Sequence, residues 1–159
     1  MAALLNALPH SEAEAVLLRC CGSRRWVERM LTGLPYASDT ALLEAAEREW
    51  WTLERADWLE AFAAHPRIGE RGGDAWSRRE QSGVDDAASE VRRALEQGNR
   101  NYEARFGHVY LVCATGRGAG DLLADLRRRL GGDPEEELRI AAGEQAKITA
   151  LRLVRLGGE

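Results

Sequence analysis

Among the 159 residues there is a single run rich in strand-forming side chains, His108-Val109-Tyr110-Leu111-Val112-Cys113. A lone strand has nothing to pair with, so the run is predicted to be extended chain lining something rather than part of a sheet. The hydrophobic spacing elsewhere is helical, and the prediction is an all-α, single-domain, irregular helical bundle of about seven to eight helices spanning residues 1–159. Composition agrees with this. Hydrophobic residues make up 45% and charged residues 30%, enough to bury a core without disulfide or metal staples, while aromatic residues at 6% leave aliphatic side chains and alanine to fill it.

Glycine, proline and capping residues mark where the helices start and stop. Ser11 followed by Glu14 has the form of a capping box, predicting a helix that runs to Cys20-Cys21-Gly22. Arg24 to Leu31 predicts a second, closed by Gly33. Ser38-Asp39-Thr40 offers caps for a helix whose inward stripe is Leu43, Ala46, Trp50 and Leu53, continuing to about Ala64 with a bend near Thr52. Pro66 to Gly83 carries four glycines and predicts a surface excursion with a short helix inside it, the kind of loop that often bears function. Asp85 to Phe106 is helical again, with Gly107 placed for a left-handed terminator. Helix returns over Asp121–Leu130, and Asp133-Pro134 opens a last helix to Leu156, with Glu135, Glu136 and Glu137 well placed against its dipole.

Charge and cysteine content narrow the function classes. The formal net charge of −4 opposes the basic surplus that nucleic-acid binders use, so no nucleic-acid partner is expected. Three cysteines, two of them adjacent, form no disulfide framework and no zinc spacing, which points to a reducing compartment. No apolar run reaches the length of a membrane span, and no basic leader precedes one at the N-terminus; a cytoplasmic protein without a membrane partner is expected.

His65 is the most informative single residue. It ends a helical pattern and precedes Pro66, which pushes it toward extended geometry and projects its imidazole from a helix terminus. Spacing alone favours a plain surface histidine. Ser77 and Glu80 read most simply as a capping box, and Arg127, Arg128 and Arg129 as the solvated face of a helix. Gly116 to Gly120 lacks the lysine and sheet context of a phosphate loop and reads as a turn. In the last helix Leu138, Ala141, Gln145, Ile148 and Arg152 repeat at 3, 4, 3 and 4, so Arg152 falls on a partly apolar stripe and needs an anion or carbonyls beside it. Three scattered histidines have no metal-ligand spacing, and no nucleophile elbow is present.

Three stretches taken together, Ala61-Phe62-Ala63-Ala64-His65-Pro66-Arg67-Ile68-Gly69-Glu70, Ser77-Arg78-Arg79-Glu80-Gln81-Ser82-Gly83 and Asn99-Arg100-Asn101-Tyr102-Glu103-Ala104-Arg105-Phe106-Gly107, resemble 2-oxo-4-hydroxy-4-carboxy-5-ureidoimidazoline (OHCU) decarboxylases. Gly131 to Glu137 and Glu144 to Leu153 match that family's C-terminal pattern as well. The resemblance implies an all-α enzyme with no metal and no organic cofactor that converts OHCU to (S)-allantoin and carbon dioxide in urate degradation.

By the same resemblance His65, Glu80 and Arg152 are catalytic residues. Pro66, Ser77, Arg78, Arg79, Glu80 and Gln81 contact substrate, and Tyr110, Leu111, Val112, Cys113 and Ala114 offer main-chain groups to it. The compact spacer from Arg71 to Trp76 and His108 beside the extended run are this chain's own departures. Surplus apolar positions and the family's habit imply a homodimer. The rival readings are a non-catalytic all-helical ligand- or protein-binding module and a helical DNA-binding regulator, the latter opposed by the acidic balance.

Overall fold

The computed structural model describes residues 1–69 and 89–158. Among these residues there are eight helices and no strand: α1 (Ala2–Ala7), α2 (His10–Cys20), α3 (Arg24–Thr32), α4 (Asp39–Trp51), α5 (Arg55–Ala63), α6 (Ser89–Phe106), α7 (Ala119–Leu130) and α8 (Pro134–Arg155). Among the described residues the all-α class is as the sequence predicts. No helix among the described residues is long and apolar enough to cross a membrane. The chain divides into two compact units, one formed by Met1–Ala61 with Gln145–Glu159 and the other by Phe62–Glu144.

In the first unit Leu5, Leu17, Trp26, Met30, Leu42 and Leu153 are fully buried. Ser23 caps α3 by accepting from the Trp26 N–H, and the Trp26 indole N–H reaches the Ala46 carbonyl of α4 at 3.0 Å, so the largest apolar side chain also ties two helices together. Ser38 caps α4 as predicted, accepting from Ala41 N–H. The buried stripe of α4 falls on Leu42, Ala45, Ala46 and Trp50 rather than on Leu43, which is only partly covered. At Thr52 the predicted bend is a full break between α4 and α5.

The capping box at Ser11 and Glu14 is not formed. Pro9 is the N-cap of α2, and no side chain caps that helix. Proline holds its φ near −55°, so the N-cap falls two residues sooner and Ser11 lies inside the first turn, where a capping geometry is unavailable. The short helix α1 was not anticipated either.

The second unit packs α6 against α7 around Ile68, Leu95, Tyr102, Tyr110, Val112, Leu122 and Leu126. The two helices approach closely at Gly98, where a Cβ would stand 2.5 Å from Leu126 Cδ2. Gly107 ends α6 with φ of +78°, the left-handed terminator expected from its position. The run after it is extended without being a strand, and Gly116 turns the chain, also at positive φ, into α7. Asp133 Oδ2 then accepts from the Glu135 and Glu136 N–H groups at 3.1 Å each, capping α8 behind its first-position proline.

Candidate active site

His65 stands just beyond the end of α5, where its N–H donates to the Phe62 carbonyl at 3.1 Å. Phe62 is fully buried and lies 5.3 Å, centroid to centroid, from the His108 ring, which in turn packs edge-on to Tyr102. Tyr102 meets Tyr110 at 5.5 Å. A chain of rings thus connects the helix end that carries His65 with the start of the extended run, as the sequence required if both were to serve one site. Past Pro66 the turn closes at Gly69, with φ of +83°. Ser77, Arg78, Arg79, Glu80 and Gln81 lie outside the described residues.

Without a sheet, the run Tyr110–Ala114 must find partners for its backbone one at a time. Arg129 Nη1 donates to the Leu111 carbonyl at 2.8 Å, and the Cys113 N–H donates to Glu144 Oε2 at 2.8 Å. The Ala114 carbonyl accepts from Arg117 N–H. Three main-chain groups of the run are therefore engaged within the protein. Its side chains point into the core, Cys113 being the most accessible of the five.

Arg129 departs from the sequence reading. Arg127 and Arg128 are exposed, but Arg129 is only 5% exposed and sits between two acidic side chains. Its Nε and Nη2 both converge on Glu137 Oε1, at 2.7 and 2.5 Å, while Nη1 stands 3.5 Å from Asp125 Oδ2. Tyr102 also donates its hydroxyl to Glu137 Oε1, and Tyr110 donates to Asp125 Oδ2 at 2.6 Å. The guanidinium stacks over the Tyr110 ring at 4.9 Å.

Burial, then the Glu137 carboxylate, holds the Tyr102 hydroxyl well above its usual range; burial and Asp125 do the same for Tyr110. Burial alone would lower the Arg129 value, but Glu137 overrides it and keeps the guanidinium charged. The signal for this was present in the sequence: Leu122, Leu126 and Arg129 follow a 4, 3 spacing that places Arg129 on the apolar stripe of α7. Glu137, in the acidic first turn of α8 as expected, is 1% exposed.

The stripe predicted on the last helix is fully realised: Leu138, Ala141, Gln145, Ile148 and Arg152 are all buried. Arg152 belongs to the first unit and is 7% exposed. Its Nη1 donates to the Arg19 carbonyl at 3.2 Å, near the C-terminal end of α2, where the helix dipole favours a cation. Burial pushes the neighbouring Cys20 and Cys21 thiols up to about 12, against the smaller pull of charges that include Arg152. Among the described residues no group of three or more His, Cys, Asp or Glu side chains is gathered as a metal site would require.

Comparison with known proteins supplies the family. The model of a family described as OHCU decarboxylase matches residues 6–154. The "Uric acid degradation bifunctional protein TTL" of Arabidopsis thaliana is 35% identical over 145 residues, covering 86% of this chain and 45% of that protein. The 2-oxo-4-hydroxy-4-carboxy-5-ureidoimidazoline decarboxylase of Mus musculus is 41% identical over 86 residues, 53% of this chain and 48% of its own length. The matches thus span a little under half the length of both relatives. A crystal structure of OHCU decarboxylase in the presence of (S)-allantoin superposes with a TM-score of 0.81 at 34% identity, covering 89% of this chain and 96% of that one. A match running from residue 6 to residue 154, on a helical framework of the same arrangement, leaves one conclusion: this chain belongs to the OHCU decarboxylase family.

Proposed function

We propose that the protein is a carboxy-lyase that decarboxylates OHCU to (S)-allantoin and carbon dioxide in urate degradation, without metal or organic cofactor. The observation that carries this reading is the family match over residues 6–154, which includes the His65-Pro66 turn, the α6 motif and the Arg152 helix in order. Loss of carbon dioxide leaves an electron pair on carbon, and the substrate's own neighbouring carbon–nitrogen double bond accepts it. The enzyme then has to fix the ring, hold the carboxylate perpendicular to the π-system, exclude water and deliver one proton to one face.

His65 delivers that proton, since an imidazole ordinarily titrates near neutrality. Its placement at a helix end, joined through Phe62 and His108 to the extended run, supports this role. Glu80 orients the imidazole or reads the ureido group, with Pro66, Ser77, Arg78, Arg79 and Gln81 as further contacts and the run Tyr110–Ala114 lending main-chain groups. Arg152 grips ring or ureido oxygens rather than the departing carboxylate, because a strong clamp on the latter would stabilise the ground state. The protein acts as a cytoplasmic homodimer, with no nucleic-acid or membrane partner.

The test is incubation with freshly generated OHCU, following both substrate loss and the optical activity of the allantoin, since spontaneous decay gives a racemate. The wild type is expected to yield (S)-allantoin. His65→Asn should abolish the enzymatic component while leaving the helical circular dichroism intact, and Arg152→Ala should raise KM. A racemic product at the spontaneous rate from the wild type refutes the reading, and full activity in His65→Asn removes its mechanism.

A further inference from the structure

Immediately beyond His65 the chain is gripped at two points by one face of α6. Asn99 and Glu103 stand four residues apart and so project from that helix together. Asn99 Nδ2 donates to the Ile68 carbonyl at 2.8 Å. One turn later Glu103 closes a two-pronged ion pair with Arg67, Oε1 to Nε at 2.6 Å and Oε2 to Nη2 at 3.0 Å. The Ile68 side chain is itself packed in the core with Leu95 and Tyr102. On the other side, the His65 N–H is held by the carbonyl of buried Phe62. His65 and Pro66 are therefore the short span between a helix end and a fastened turn, and proline removes much of what freedom remains.

Asn99 is an expensive means of holding a carbonyl. The residue is 2% exposed, and its Oδ1 is buried with no hydrogen-bond partner. Such orphaned acceptors are rare in folded proteins, and local rules of good packing are broken most often where function demands it. An apolar side chain of the same shape would leave no orphan, but it would also release the Ile68 carbonyl. Through Nδ2, what the amide contributes is the placement of the turn.

We infer that Asn99, backed by the Glu103–Arg67 pair, is a positioning residue for His65: by fixing the Ile68 carbonyl it sets where the imidazole stands, without touching substrate. This rests on the reading of His65 as the proton donor. Proton delivery is sensitive to displacements on the ångström scale, whereas substrate affinity is spread over many contacts, so the loss should fall on kcat.

The experiment combines steady-state kinetics on freshly generated OHCU with NMR titration of the histidine rings, His65 being assigned by its disappearance in His65→Asn. Asn99→Leu should lower kcat by about tenfold or more with KM within about twofold of wild type, and its circular dichroism should be unchanged. In that variant the His65 titration curve should move while that of His10 stays. Glu103→Ala should give the same pattern at smaller size, and Arg67→Lys, which keeps a single-point pair, should fall less than Arg67→Ala. A kcat within about twofold of wild type in Asn99→Leu, with an unmoved His65 titration, overturns the proposal. So does a loss of kcat that only tracks the loss of folded protein. Should Asn99→Leu fail to fold, Glu103→Ala, at the accessible end of the grip, decides by the same criteria. If His65→Asn retains full turnover, it is the proton-donor reading that falls; the His65 titration in Asn99→Leu needs no turnover and still tells whether Asn99 places the ring.

Discussion

Two of the described segments outside helices in the Phe62–Glu144 unit, the turn at 65–69 and the run at 108–114, must find partners for backbone groups that no helix supplies. The run is held by charged groups from α7 and α8, with Arg129 on the Leu111 carbonyl, Glu144 on the Cys113 N–H and Asp125 accepting from the run's own Tyr110 hydroxyl. The turn is held by one neutral amide and one ion pair whose arginine is half exposed. Removing Arg129 from the first set strands a charge in a low-dielectric interior, whereas removing a member of the second strands at most a carbonyl or a solvated side chain. One grip is built into the stability of the fold, and the other adjusts the position of a residue without much bearing on whether the chain folds.

The largest expected effect tests the first grip. Arg129→Met leaves Glu137 and Asp125 buried without their shared cation and should destabilise the protein by about 3–5 kcal/mol in urea unfolding. Replacing Glu137 by leucine in the same chain should restore much of that, because exchanging a whole buried pair for apolar groups is often neutral. A loss below about 1 kcal/mol for the single variant breaks the comparison.

Tyr110→Phe comes next, expected at about 1–2 kcal/mol by the same measurement, since it removes the hydroxyl donated to Asp125 and the Leu122 carbonyl. Alkaline pH probes the same contact. The folded-state values of Tyr102 and Tyr110 lie above the ordinary tyrosine value, through burial first and a neighbouring carboxylate second. The folded chain therefore keeps protons that the unfolded chain gives up above about pH 10, so this contribution is whole below that value and is lost as pH rises further. Urea midpoints at pH 8 and 10.5 should fall, and the fall should be shallower in Tyr110→Phe than in wild type.

The smallest stability effect is expected at the turn. Asn99→Leu should shift the unfolding free energy by less than about 1 kcal/mol, because losing the bond to Ile68 is offset by removing the unsatisfied Oδ1. A larger loss would place the turn in the same class as the run.

The two grips also differ in how far the amino-acid sequence foretold them. The end of α6 at Gly107, the Ser38 and Asp133 caps and the five-residue stripe ending in Arg152 all appear as predicted, while the bend expected near Thr52 is a full break. Each depends on residues within a turn or two of one another. The miss at Ser11 was local too, a case of Pro9 setting the helix start before the capping box could act. Arg129 shares a charge run with Arg127 and Arg128, yet its spacing from Leu122 and Leu126 turns it inward. For the site, His65 and the extended run stood out as residues, but the Asn99 contact could not be anticipated from either.

Helix boundaries, the buried face of the last helix and, among the described residues, the unpaired course of the β-prone run were set by the sequence alone, because caps, φ restrictions and a 3.6-residue period act over short separations. The folded structure decided which polar groups meet: Asn99 with Ile68 across 31 positions, Tyr102 with Glu137 across 35 and Arg129 with Leu111 across 18. Those pairings exist only after α6, α7 and α8 have packed, since only then are the groups removed from water and left with one another as partners.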